Sequence, residues 1–226
     1  MAIVGGTYLW APDFSWISLQ ESDYNNPMQR GEEYERPASV EFLDPYDNTG
    51  FQADCGIRVH GSDFHRARYR RGGDWLSCDL PDLYNKFSFK LYFRDEYGDD
   101  TLKYPIFPKP SQNRSACVVL RGGHNDICAP FVTDELFRRL HYDMGYPEAV
   151  GGFATLFING QYKGLYNPSE RIDEDFLREI YGKDTDWDVI TRRGDATDEP
   201  RDGSTEAWNA MMSDALNNLL SEDAYY

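Results

Sequence analysis

Basic residues are scarce in this chain. Only 23 Lys and Arg stand against 39 Asp and Glu in 226 residues, a formal net charge of −16. Affinity for nucleic acid comes mainly from Lys and Arg neutralising phosphates, so no nucleic-acid partner is expected. Cysteine is sparse as well. The 4 present, Cys55, Cys78, Cys117 and Cys128, form no Cys-x-x-Cys pair, which removes support for a zinc knuckle or a thioredoxin-type site and leaves them to be read as free thiols. Long apolar runs are missing: the best, such as residues 151–158, fall far short of the roughly 20 residues that a membrane helix needs. The opening stretch from Met1 to Trp10 lacks the basic and then long apolar segments of a secretory signal. There is no Walker-type phosphate loop, dinucleotide fingerprint, zinc-protease helix, hydrolase nucleophile elbow, or HRD and DFG pair of ordinary protein kinases. The 4 histidines form no convincing metal set, and the acidic clusters at 95–100 and 184–188 lack the spacing of a calcium loop.

What is present is enough to build a core, because 40% of the residues are apolar and 15% aromatic. Residues 1–37, rich in aromatics, Asn, Pro and charge without a sustained period, are expected to form an irregular arm. From Ala38 short alternating segments begin. Val40 and Phe42 alternate with Ser39 and Glu41, and Ile57 and Val59 with Arg58 and His60. Residues 44–50 between them have turn chemistry. The clearest alternation puts Phe87, Phe89, Leu91 and Phe93 on one face and Lys86, Ser88, Lys90 and Arg94 on the other, which describes a half-buried strand with a basic outer side. A short apolar strand follows at 117–120, and Asn159-Gly160 is a strong hairpin signal between two further strands. Helices are expected over 131–144, with Val132, Leu136, Leu140 and Met144 at i+4 spacing, over 173–181 with Gly182 as its stop, and over 205–220. Residues 192–203 are the best linker candidate. The fold class is therefore α+β, a mostly antiparallel sheet with packing helices.

Gly61-Ser62 follows one strand, Lys86 lies on the polar face of another, and Arg121-Gly-Gly-His-Asn125 follows a third. Backbone amides at small-residue turns approach phosphate oxygens closely, and a strand-borne ammonium adds a point charge, so the combination is that of an anion site. Taken singly, each residue has an ordinary structural reading as a turn glycine, an exposed lysine or an ion-pair partner.

The run Cys55-Gly-Ile-Arg-Val-His-Gly61, the strand from Lys86 to Gly98, the segment Leu102-Lys-Tyr-Pro-Ile-Phe107, Val119-Leu-Arg-Gly-Gly-His-Asn-Asp126, Thr133-Asp-Glu-Leu-Phe-Arg-Arg139, and above all Leu156-Phe-Ile-Asn-Gly-Gln-Tyr-Lys-Gly-Leu-Tyr-Asn167 with Glu170-Arg-Ile-Asp173 resemble the CotH kinase-like family. Its namesake is a bacterial spore-coat protein. The resemblance divides the chain into an arm, residues 1–37, and a CotH kinase-like domain, residues 38–226. It implies an atypical protein-kinase-like nucleotide lobe that uses ATP with Mg²⁺ or Mn²⁺ to phosphorylate serines of coat or surface proteins, at the spore coat or cell surface. Carried over by residue, Lys86 matches the strand lysine that holds nucleotide phosphates, Gly61 and Ser62 the small-residue loop, and Arg121 and Asn125 positions of the Leu-Arg-x-x-x-Asn-Asp segment. Glu135 is the candidate partner of Lys86, by analogy with the lysine–glutamate pair of protein kinases.

Two departures qualify the resemblance. The segment 63–84, with the basic run His65 to Arg71, is longer than the family's usual link between the Gly loop and the lysine strand. The family's catalytic-loop Asp and later metal-binding Asp belong downstream of the last helix, past Tyr226, so no catalytic residue is expected within these residues and the C-terminal lobe is expected to be incomplete. The alternative reading is a non-catalytic surface adhesin or protein-interaction module.

Overall fold

The computed structural model describes residues 30–61, 87–107, 114–123, 131–182, 185–192 and 197–217. They fall into two compact units, 1–171 and 172–226. In the first, strands β1 (Arg36–Leu43), β2 (Gly50–His60), β3 (Ser88–Tyr92), β4 (Cys117–Arg121), β5 (Ala154–Ile158) and β6 (Gln161–Glu170) form one sheet in the order β1-β2-β3-β4-β6-β5. Every neighbouring pair is antiparallel. Helix α1 (Thr133–Asp143) lies between β4 and β5 in sequence. The α+β expectation holds. Residues 1–29 of the expected arm lie outside the described residues, and β1 opens at Arg36 after a 3-10 turn over Glu32–Tyr34.

Both expected turns are built by the residues that signalled them. Between β1 and β2 the Asp44 carboxylate accepts from the Tyr46 amide, the Asp47 carboxylate accepts from the Thr49 amide, and Asn48 takes a left-handed φ of 60°. Between β5 and β6, Asn159 and Gly160 both have positive φ, 50° and 77°, the geometry whose twist suits a two-residue hairpin.

The alternation in β3 decides which side of the sheet is dry. Val59, Phe89 and Leu120 stand opposite one another across β2, β3 and β4, Leu91 faces Val118, and with Phe87, Phe93, Leu102, Phe107 and Tyr166 they form the buried core. The other face carries Arg58, Lys90, Val119 and Ser169 in one cross-strand row. Tyr166 is fully buried, and its hydroxyl donates to the Phe87 carbonyl at 2.8 Å. Burial pushes the phenol well above the usual tyrosine value, so it remains a donor. Cys55 and Cys117 are buried free thiols, as expected; Cys78 and Cys128 lie outside the described residues.

Helix α1 sits on this sheet in an unusual sense. Its two buried residues are Glu135 and Arg138, whereas Val132, Leu136, Phe137, Leu140 and Met144, the i+4 stripe and its flank, are each about half exposed or more. The charged side faces the protein. Among the described residues nothing covers the apolar stripe.

In the second unit, α2 (Glu174–Tyr181) begins where the Asp173 carboxylate accepts from the Phe176 amide at 3.1 Å and ends at Gly182, φ 114°, as the capping signals required. Strands β7 (Val189–Arg192) and β8 (Asp198–Asp202) pair antiparallel, and α3 (Glu206–Asn217) follows. This corrects the linker expected over 192–203, since most of its second half is a strand. The Asp-Glu-Pro-Arg-Asp sequence of β8 has no apolar alternation and Pro200 reads against a strand, but a two-stranded ladder leaves one side of each strand unpaired and tolerates proline. The acidic side chains hold the ladder in place instead. Asp202 accepts from the Glu174 amide at 3.1 Å, and Asp198 accepts from the Trp208 indole at 2.9 Å.

Two substitutions test the core. Phe89→Ala should cost about 3–5 kcal/mol of unfolding free energy. Tyr166→Phe should cost about 1–3 kcal/mol, because it strands the buried Phe87 carbonyl. Urea denaturation measures both, and a Tyr166→Phe protein as stable as wild type would contradict the role given to its hydroxyl.

Candidate functional site

Antiparallel register collects the chemically interesting residues at one end of the sheet. His60 closes β2 opposite Ser88, which opens β3, and Arg121 closes β4 opposite Asn167 of β6. Gly61 follows β2 with a φ of 128°, a backbone conformation that L side chains rarely adopt. The Gly122 amide donates to Ser88 Oγ at 2.8 Å and so ties the end of β4 to the start of β3. Gly123, φ 74°, is packed under the Phe131 ring, where an added Cβ would lie 2.1 Å from a ring carbon. Gly61, Phe87 and Arg121 thus stand at neighbouring strand ends. Lys86, the residue before Phe87, lies outside the described residues, as do Ser62 and Asn125.

Arg121 is about 40% exposed at its side chain and pairs with Asp134, the second residue of α1, with 2.8 Å between its Nη2 and Oδ2. Asp134 Oδ2 is also 3.3 Å from Arg138 Nε. Neither contact has hydrogen-bond alignment, so both are charge pairs.

Glu135, the expected partner of Lys86, is held among other residues, and Lys86 itself lies outside the described ones. Glu135 is only 3% exposed, and both oxygens are already engaged. Oε1 accepts from Arg139 Nε at 2.7 Å and the Gly151 amide at 3.1 Å. Oε2 accepts from Asn167 Nδ2 at 3.0 Å and lies 2.9 Å from Arg138 Nη2. Asn167 donates further to the Gly152 carbonyl at 2.6 Å and accepts from Arg138, which also donates to the Ala149 carbonyl. Burial, opposed by Asp134, holds the Arg138 guanidinium below the usual arginine value. Gly151 is required here, since a Cβ would sit 2.1 Å from the Pro168 carbonyl oxygen and about as close as hydrogen-bonding distance to Glu135 and Asn167. This network fastens α1 to β6.

A second charged cluster occupies the same sheet face. Glu35, its side chain wholly buried, lies 3.3 Å from Arg94 and 3.6 Å from Arg58, and the two guanidinium groups stand 5.0 and 4.8 Å from the centre of the Tyr92 ring. Gly56 leaves the space for this, because a Cβ there would meet the Tyr97 ring at 2.5 Å. Burial raises the Glu35 carboxyl above its usual value despite both arginines.

Sequence reasoning passed over Asp134, Arg138, Asn167 and Glu35. The spacing of Glu135 to Arg138 and Arg139 is the i+3 and i+4 pairing of a helix surface and was readable. The links to Asn167 and Gly151 cross the fold and left no local signal. Among the described residues no group of three or more His, Cys, Asp or Glu is arranged to hold a metal, and no helix is long and apolar enough to cross a membrane.

The family model described as CotH kinase protein matches residues 58–224, from near the end of β2 to past α3. The chain belongs to the CotH kinase family. No curated protein matches it. Gly61, Ser62, Lys86, Arg121, Asn125 and Glu135 all fall within the matched CotH region, while β1 and most of β2 precede it and complete the same sheet. Membership implies a kinase-type reaction, with the ATP, metal ion and protein substrate that such a reaction requires.

Two tests separate the clusters. Glu135→Ala leaves Arg138 buried without its carboxylate and should cost about 3–5 kcal/mol; stability within error of wild type would refute the fastening role. For Glu35, a raised carboxyl binds its proton more tightly in the folded state than in the unfolded one, so its contribution to stability declines as pH rises above the ordinary value of 4.5. In urea titrations between pH 4.5 and neutrality, Glu35→Gln should therefore show a more favourable change of stability with rising pH than wild type does.

Proposed function

We propose that this chain carries the nucleotide-binding part of an atypical, ATP-dependent protein kinase of the CotH type, one that phosphorylates serines of coat or surface proteins. The observation behind this reading is the convergence of Gly61, the residue beside Lys86, and Arg121 on adjoining strand ends. Phosphoryl transfer demands little covalent chemistry of the protein and much positioning and charge. A serine hydroxyl gives up its proton to solvent as its oxygen bonds to the terminal phosphorus of ATP, the bond to the bridging oxygen breaks, and ADP leaves. In this reading Arg121 and Lys86 hold phosphate oxygens, and Gly61, at the end of β2, lets the backbone approach them.

The residues present fit a phosphate-bearing ligand. Among the described residues no hydrogen bond engages the Arg121 guanidinium, which is about 40% exposed at its side chain, and Gly61 ends the neighbouring strand without a side chain. A divalent metal, when bound, would neutralise charge on the terminal phosphates. The described residues supply no ligand set for it.

The second reading, a non-catalytic surface adhesin or interaction module, draws on the exposed apolar stripe of α1. Nucleotide binding decides between the two. Calorimetry with ATP and Mn²⁺ should show saturable binding, and Lys86→Ala should weaken it about ten- to a hundredfold through loss of a charge-assisted phosphate contact. A folded protein that ignores ATP with either metal would favour the interaction module.

A further inference from the structure

Helix α1 must communicate with the strand ends by some route if its position is to matter for the ligand bound there. The route by way of Glu135 is closed. Its two oxygens already receive Arg139, Asn167 and the Gly151 amide and lie against Arg138, and a carboxylate so occupied does not reach toward another cation without dismantling the attachment of the helix. The residue before it on the helix is placed quite otherwise. Asp134 stands between Arg138, which the Ala149 carbonyl, Asn167 and Glu135 hold in place, and Arg121 at the end of β4.

We infer that Asp134 is a positioning residue for Arg121, and that through this pair, rather than through Glu135, helix α1 tunes the affinity of the sheet end for the phosphates of a nucleotide. The inference rests on the nucleotide-binding reading above and adds the element that controls it. The geometry suits the task. The contact is a charge pair at 2.8 Å without hydrogen-bond alignment, so it confines the guanidinium without directing its N–H groups at the carboxylate. Those donors remain for phosphate oxygens. Asp134 is in turn confined by Arg138, whose surroundings are buried, so a shift of the helix moves Asp134 and with it Arg121. Side-chain order supplied before binding is order the ligand does not have to impose.

A double-mutant cycle on the full chain, read by calorimetry with ATP and Mn²⁺, tests this. Arg121→Ala should weaken binding about ten- to a hundredfold. Asp134→Ala, and the isosteric Asp134→Asn, should each weaken it about three- to tenfold with Arg121 present, and should change nothing in the Arg121→Ala background. Asn is expected to behave as Ala because charge, not an aligned hydrogen bond, holds the pair. A carboxylate that acted only as a nearby negative charge would give the opposite sign, tighter binding in both backgrounds on its removal, and this would overturn the inference. A purely structural Asp134 would lower the melting temperature while weakening binding equally in both backgrounds, which would overturn it too. Binding of ATP by wild type with Asp134 uncoupled from Arg121 would defeat only this inference. No binding by wild type would defeat the nucleotide reading and this inference together.

Discussion

A carboxylate buried between a helix and a sheet governs the arrangement of the first unit. Glu135 loses its water on folding, a loss tolerable only where hydrogen bonds and countercharges replace it. Asn167 from β6, the Gly151 amide and two arginines of its own helix replace it. Because these partners lie on the sheet side, α1 must turn its charged side inward. The exposed apolar stripe and the proximity of Asp134 to Arg121 both follow from that one orientation.

The sheet contributes a second constraint. One alternation in β3 sends Phe87, Phe89 and Leu91 into the core and sets Ser88 and Lys90 on the opposite face. The start of β3 is then pinned from both sides, by the Tyr166 hydroxyl on the Phe87 carbonyl and by the Gly122 amide on Ser88. Two hydrogen bonds thus join the start of β3 to β6 on one side and to the end of β4 on the other.

Much of the fold was legible, and the reasons are local. Asn159-Gly160 prescribes its hairpin, Asp173 and Gly182 bracket α2, and the period-two pattern from Phe87 to Phe93 identifies the central strand and its buried face. The strand β8 was not legible, because its acidic side chains act through contacts with Glu174 and Trp208 rather than through any periodic apolar face. The stripe of α1 shows the limit from the other direction. Val132, Leu136, Leu140 and Met144 announce a helix correctly, but period alone does not say which side meets the sheet.

The sequence by itself determined most of the strands, the two turns and the course of the helices, since each depends on neighbours a few positions away. Family membership was also carried there, in runs such as Asn159 to Asn167. Only the tertiary structure decided which charges meet. Glu135 joined to Asn167, Asp134 to Arg121, and Glu35 to Arg58 and Arg94 are pairings across 32, 13, 23 and 59 positions. Such contacts depend on strand register and on the turn of a helix about its axis, and these are settled by the packing of the whole sheet rather than by the preferences of any single segment.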